Sequence, residues 1–149
     1  MRKASPFWLA AFLALLLGSG CVHTKSTTPF HEQAFNDPYF ALIYVYREEG
    51  AADAGVPWEI SLDDNVVGRL RLGAYLTVRV APGAHTLEVG RNDPQTYNPR
   101  GLVGSSSKIA FKAKGSETYY LQCKGSKREF LSREQAIGPL RTMKYDRGD

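Results

Sequence analysis

The sequence predicts an all-β domain: a small antiparallel β-sandwich of about seven strands, with a short helix near the carboxyl terminus. Three observations carry that expectation. Apolar residues alternate through successive runs between Trp58 and Val89, the period of strands with one dry and one wet side. Turn-forming pairs, Asp64-Asn65 and Pro82-Gly83, punctuate those runs because their residues accept or preset turn dihedrals. Phe40 to Arg47 (FALIYVYR) is apolar on both faces, as suits a strand covered on two sides.

The 149 residues allow one ordinary domain. Charged residues make up 23% and apolar residues 43%, close to the globular norm, so the chain has enough apolar side chains to build a core. The formal charge of +4 is too small for the basic stripe that nucleic-acid binding requires. Its distribution says more than its total. Val22 to Ser107 holds seven basic and ten acidic residues, whereas Lys108 to Asp149 holds ten basic and five acidic. A basic carboxyl-terminal portion suits an anionic surface such as lipid headgroups or cell-wall polymer; the plainer reading is a solvated face rich in lysine.

The chain opens with Arg2 and Lys3, an apolar run from Phe7 to Leu17, and Gly18-Ser19-Gly20 ahead of Cys21. A run of eleven apolar residues falls short of the ~20 a membrane-spanning helix needs. The segment therefore reads as a secretory leader. Leu17, Ser19, Gly20 and Cys21 resemble the end of a bacterial lipoprotein signal peptide, which implies cleavage after residue 20 and acylation of Cys21. The alternative is ordinary cleavage nearby and release of a secreted protein. With Cys21 acylated, only Cys123 remains, so no intrachain disulfide forms in the mature protein. Cys123 shares a strand face with Tyr119 and Leu121 and reads as a small core residue.

Residues 21–39 form the lipidated cysteine and a tether, polar and without periodicity, on which Phe30 and Phe35 are positioned to dock onto the body. Residues 40–149 form the sandwich. After FALIYVYR, Glu48 to Pro57 is a loop of glycine, alanine and acids. Trp58, Ile60 and Leu62 share one face, as do Leu76, Val78 and Val80, and then His85, Leu87 and Val89. Ile109, Phe111 and Ala113 alternate with Lys108, Lys112 and Lys114, whose charges protect a sheet edge. Gly115-Ser116 turns the chain so that Thr118 to Cys123 pairs back on that strand, and Phe130-Leu131 adds a short strand. Ser132 and Gln135 form a capping box. Gly138-Pro139 interrupts the helix it opens, and Leu140, Met143 and Tyr145 continue a face over the sheet.

Gly90 to Ser107 is the longest irregular stretch, and Arg91, Tyr97 and Arg100 within it are the candidate ligand-binding residues. A flat ring beside two guanidinium forks suits anionic or sugar-like partners; the alternative is a plain connection. No metal site is expected, since the histidines at 23, 31 and 85 are dispersed and no Cys-x-x-Cys or His-x-x-x-His occurs. His85 reads as a partly buried strand residue. Ser105 to Ser107 lacks a nucleophile elbow, and Asp63 and Asp64 read as turn residues. No cofactor and no enzymatic activity are expected.

ALIYVYR, ISLDDNVVGRL, GAYLTVRVAPGAHTLEV and GSETYYLQC together resemble the bacterial lipoprotein family known as domain of unknown function 2846. The resemblance covers residues 40 to 123. It implies an exported, lipid-anchored β-sandwich like prealbumin-type or PEGA-type modules and brings no catalytic residues with it. Val22, standing where an aspartate would follow the anchor, implies the outer membrane through the lipoprotein resemblance. The expected role is a non-catalytic binding or assembly module facing the periplasm, with an envelope protein or cell-wall polymer as partner. The rivals are a hydrolase using residues 90–107 and a structural subunit of an envelope complex that binds by strand addition.

Overall fold

The computed structural model describes residues 29–48, 55–90 and 106–146. Nine strands and one helix are present among them: β1 Ala41–Arg47, β2 Trp58–Leu62, β3 Asn65–Leu70, β4 Ala74–Val80, β5 Gly83–Gly90, β6 Ser107–Ala113, β7 Thr118–Lys124, β8 Lys127–Leu131, α1 Arg133–Leu140 and β9 Lys144–Tyr145. They form two sheets, one ordered β8-β7-β1-β4-β9 and the other β3-β2-β5-β6. The β-sandwich expected from the alternation is the observed fold. The strand count rises to nine because the short strand expected at Phe130-Leu131 is a full edge strand, β8, and the two-residue β9 forms the other edge of the first sheet.

The four-stranded sheet is antiparallel throughout. The five-stranded sheet is mixed: β1 runs antiparallel to β4 but parallel to β7, and β9 runs parallel to β4. Alternation fixes which side chains face inward, not which neighbour a strand takes, so the parallel pairs left no trace in the pattern.

Between the sheets lies an aliphatic core that includes Ala41, Ile43 and Val45 of β1, Ile60, Leu76, Val78, Leu87, Val89 and Leu121. Cys123 is fully buried in it, and burial pushes its thiol up to about 12. On the other side of the five-stranded sheet is a second, aromatic cluster: Leu42, Tyr44, Tyr46, Tyr75 and Tyr120, covered by Phe30, Ala136, Leu140 and Met143. β1 is buried at all seven positions because α1 and the amino-terminal segment cover one face while the other sheet covers the other. That is why FALIYVYR lacks a polar face.

The amino-terminal segment is held in place rather than trailing. Phe30 sits edge-on to Tyr44 and Tyr75 at centroid distances of 5.5 and 5.2 Å, and Phe35 packs on the same cluster. Gln33 N donates to the Tyr44 hydroxyl at 2.9 Å. At Gly115 the backbone runs so close that a Cβ would lie 2.1 Å from the Pro38 carbonyl oxygen, leaving room for glycine alone.

Three local expectations change. The β2–β3 turn is Asp63-Asp64, not Asp64-Asn65: Leu62 pairs with Asn65, and the two residues between take φ of 49° and 64°, the left-handed pair of a two-residue hairpin. β7 does not pair back on β6. Residues 114–117 instead carry the chain from one sheet to the other, a gap of about 10 Å that four residues bridge easily. Gly138-Pro139 does not break α1, which runs to Leu140, and Tyr145 lies in β9 rather than on a helical face. The capping box is formed, with the Ser132 side chain accepting from Gln135 N and the Gln135 side chain from Ser132 N.

Candidate functional site

Cys21, Arg91, Tyr97 and Arg100 lie outside the described residues. The strand ends that flank residues 91–106 do not. β5 finishes at Gly90 opposite Glu59, and β6 starts at Ser107 opposite Val89. Both belong to the end of the sandwich where β1 finishes and β2 and β8 begin. At this end Arg47, fully buried, donates to the Val56 carbonyl at 2.8 Å and sits 3.9 Å from the Trp58 ring centroid. The Arg128 guanidinium lies over the same ring, also at 3.9 Å, so the two cations must occupy opposite faces of the indole. Desolvation lowers Arg128 from its ordinary value. The stack fastens the two sheets together, and its cation–π contacts are strongest where water is excluded.

A sizeable concavity lies elsewhere, where the edge strand β8 stops. Its final residue, Leu131, pairs with Tyr120, so no strand flanks Thr118 and Tyr119 on that side. The chain leaves β8 into the cap of α1, and residues 32–35 of the amino-terminal segment run past the opening. Between them is a cleft of about 550 Å³ whose lining includes Phe35, Tyr119, Tyr120, Phe130, Glu32 and Arg133. Its walls mix four aromatic side chains with polar ones, among them one carboxylate and one guanidinium.

Glu32 is the electrostatic centre of the cleft. Arg133 donates to it through Nε at 2.9 and 3.0 Å and through Nη2 at 2.5 Å, the fork geometry arginine offers a carboxylate. The Tyr120 hydroxyl donates to the same carboxylate. The hydrogen bond from Arg133 is the foremost cause holding the Glu32 carboxyl below its usual range, against the opposing effect of burial. Burial, then the bond to Glu32, pushes the Tyr120 phenol upward. On the rim, the Tyr119 hydroxyl donates to Glu117 at 2.6 Å and accepts from Lys114 N at 3.2 Å.

His85 stands apart from this cleft. Its Nδ1 lies 2.6 Å from Asp63 Oδ2 and its Nε2 lies 2.8 Å from the Ala81 carbonyl oxygen. Asp63 also accepts from Thr86 N at 2.8 Å. The imidazole therefore ties the 63–64 turn to the 81–82 turn, the structural role expected for a half-buried strand histidine. Among the described residues no three histidine, cysteine or acidic side chains gather as a metal site. No helix among them is long and apolar enough to cross a membrane.

Sequence reasoning named none of the cleft residues as functional. Glu32 and Arg133 are 101 positions apart, and no local motif announces such a pair. The available signal was indirect: a capping box fixes where Arg133 begins its helix, and the docking of Phe30 and Phe35 fixes where Glu32 lies.

No curated protein and no solved structure matches the chain. A family model described as "Protein of unknown function (DUF2846)" matches residues 39–135. That span runs from just ahead of β1 into the first turn of α1, so it takes in every strand of the sandwich except β9 and the β7, β8 and helix walls of the cleft, while Glu32 and Phe35 precede it. With a match over more than half its length, the chain belongs to the DUF2846 family.

Proposed function

We propose that this protein is an exported, lipid-anchored component of the bacterial cell envelope that binds a hydroxyl-rich ligand, such as a cell-wall polymer, without transforming it. The leader ending at Cys21 supports the anchor, facing the periplasm at the outer rather than the inner membrane. The observation that carries the binding role is the cleft beside Tyr119. Aromatic faces there offer flat apolar surface to sugar rings, and Glu32 with Arg133 offers acceptors and donors to hydroxyls. Since the two charges already neutralise each other, the cleft favours a neutral or zwitterionic ligand over a highly charged one.

Glu32, Asp63, Glu88, Glu117 and Glu134 are all held below their ordinary values, so none of these five is set up as a general acid at neutral pH. Cys123, with its thiol pushed up to about 12, is inert as a nucleophile.

Two measurements test the reading. Fatty-acid labelling of the protein in cells is expected to vanish in Cys21→Ser; unchanged labelling rejects the anchor. Co-sedimentation of the purified mature protein with insoluble cell-wall polymer is expected to fall several-fold in Tyr119→Ala and Arg133→Ala variants that keep the wild-type circular dichroism. Equal sedimentation by all three rejects the cleft as the ligand site. Turnover of a hydrolase substrate that responds to changes within residues 90–107 would replace this reading with the enzymatic one.

A second reading, docking of an envelope protein by strand addition, is favoured by one observation. β3 is an edge strand with Val66 and Val67 exposed at 58% and 41% beside an irregularity in its pairing with β2, an apolar stretch of edge that another strand could extend. A photo-crosslinker at Val66 that captures a discrete partner in intact cells supports it; crosslinking no different from that at Lys112 on the lysine-guarded edge strand β6 counts against it.

A further inference from the structure

Among the described residues, the exposed charges at the end of the sandwich where the chain enters from its amino terminus are basic. Pro29 bridges Lys144, β9 lies beside Ala74 and Tyr75, and Ala74 pairs with Arg47 at the finish of β1. The amino-terminal segment therefore joins the body at the Arg47–Trp58 end and runs from there towards the opposite one. Around this entry point Arg69, Lys124, Lys127, Arg141 and Lys144 are exposed. The described acids at the same end, Glu48, Glu59, Glu129 and Asp146, are half-buried or buried. The opposite end carries Asp37, Asp63, Asp64 and Glu117 beside its turns. Among the described residues, every exposed charge at the Pro29 end is a cation, whereas at the other end Arg79, Lys112 and Lys114 stand among the exposed acids.

Lys124 pairs with Glu48 at 2.8 Å and Lys127 with Glu129 at 2.6 Å, yet their side chains remain 63% and 67% exposed. Such surface pairs exchange partners readily. Arg141 and Lys144 have no ion pair among the described residues. Tyr145, next to Lys144, is 44% exposed, an aromatic residue with an apolar body and a polar tip of the kind that settles at a membrane–water interface.

Chain length sets the remaining constraint. Eight residue steps separate Cys21 from Pro29. They span at most about 29 Å fully extended, and the coil average for that length, roughly 16 Å, is shorter than the ~23 Å length of the sandwich's seven-residue strands. An acylated Cys21 accordingly makes the Pro29 end the one nearer its bilayer, free to swing down to the surface, where its cations enter the negative potential that acts over a Debye length of about 8 Å.

We propose that the end bearing Lys124, Lys127, Arg141 and Lys144 docks on the anionic phospholipid headgroups of the membrane that holds Cys21. This deepens the lipid-anchored reading and rests on it for the orientation. Docked in this way, the domain stands on its basic end, and the cleft at Tyr119 opens to the side and away from the bilayer, free to receive a ligand.

The test separates docking from anchoring. The mature chain carrying Cys21→Ser, which has no lipid, is sedimented with vesicles of phosphatidylglycerol and phosphatidylethanolamine and, separately, of phosphatidylcholine alone. Binding is expected to the anionic vesicles only, and to weaken as salt is raised. Lys127→Glu/Arg141→Glu/Lys144→Glu is expected to lower the partition coefficient by about tenfold or more, since each basic residue near an anionic surface contributes several-fold. Arg79→Glu/Lys112→Glu/Lys114→Glu, at the opposite end, is expected to leave it close to the parent. Equal binding to both vesicle types, no binding at low salt, or equal losses from the two triple variants overturns the proposal. Fatty-acid labelling of the unaltered chain reports separately on the anchor, so its loss in Cys21→Ser together with absent vesicle binding refutes docking and leaves anchoring standing.

Discussion

The two faces of the five-stranded sheet solve the problem of burial differently. The inner face meets the other sheet through aliphatic side chains, Ile43, Val45, Leu76, Val78 and Leu121. They need only shape and dryness to contribute. The outer face is built from tyrosines, Tyr44, Tyr46, Tyr75 and Tyr120, under a helix and an amino-terminal segment. Tyr44 accepts from Gln33 N and Tyr120 donates to Glu32, so there the phenols hold the covering layer as well as filling space. Tyr44 and Tyr120 stack with centroids 5.6 Å apart and planes 8° from parallel. The contrast teaches that the sandwich itself is a hydrophobic object, whereas its third layer is fastened by polar contacts and can be loosened without dismantling the rest.

The largest expected effect lies on the inner face. Ile43→Ala, at a fully buried position, is expected to destabilise by about 2–5 kcal/mol, seen as a lower midpoint in urea with the slope unchanged. A loss under 1 kcal/mol would mean that the inner face is not the main source of stability. Gly115→Ala comes next. Its Cβ would stand 2.1 Å from the Pro38 carbonyl oxygen, and relieving that overlap by moving the segment is expected to cost about 1–3 kcal/mol. The diagnostic sign is faster hydrogen exchange at residues 30–38 than in β1.

Glu32→Gln should act more gently. It weakens the bonds from Arg133 and Tyr120 while leaving the inner core intact, so the expected result is new proteolytic cleavage between residues 29 and 40 with only a small fall in melting temperature. A fall as large as that of Ile43→Ala would show that the two faces are not separable. The smallest effect is a pH dependence confined to the outer layer. Glu32 has a folded value below its ordinary 4.5, foremost through the bond from Arg133. Its contribution is therefore complete above 4.5 and lost as pH falls through the lower folded value. Exchange protection of residues 30–38 should drop on acidification in this range in the parent and not in Glu32→Gln.

These differences explain what could be read from residues alone. The inner face was legible because Trp58, Ile60, Leu76, Val78, Leu87 and Val89 repeat at period two, and each of them is buried. The double covering of β1 was legible because FALIYVYR has no polar side. The helix start was legible in Ser132 and Gln135. What could not be read depends on meetings between distant segments: the parallel pairing of β1 with β7, the passage of the chain between sheets at residues 114–117, and the bond of Glu32 to Arg133. Arg47 is a related case. At the end of an apolar run it looks like a terminal charge, yet it is fully buried against Trp58. The candidate residues at 91, 97 and 100 lie outside the described residues, whereas the cleft is assembled from side chains that are unremarkable one by one.

The placement of β1 has a consequence for how the protein reaches its working shape. It is the first of the described strands, yet it lies in the middle of its sheet, with Leu42 beside Thr118 on one flank and Ala41 beside Val80 on the other. A nascent polypeptide emerging amino terminus first must hold this sticky stretch in waiting until nearly the whole domain has arrived, because closing so long a loop is entropically slow. A chain truncated before Thr118 would be an aggregation hazard rather than a smaller working domain.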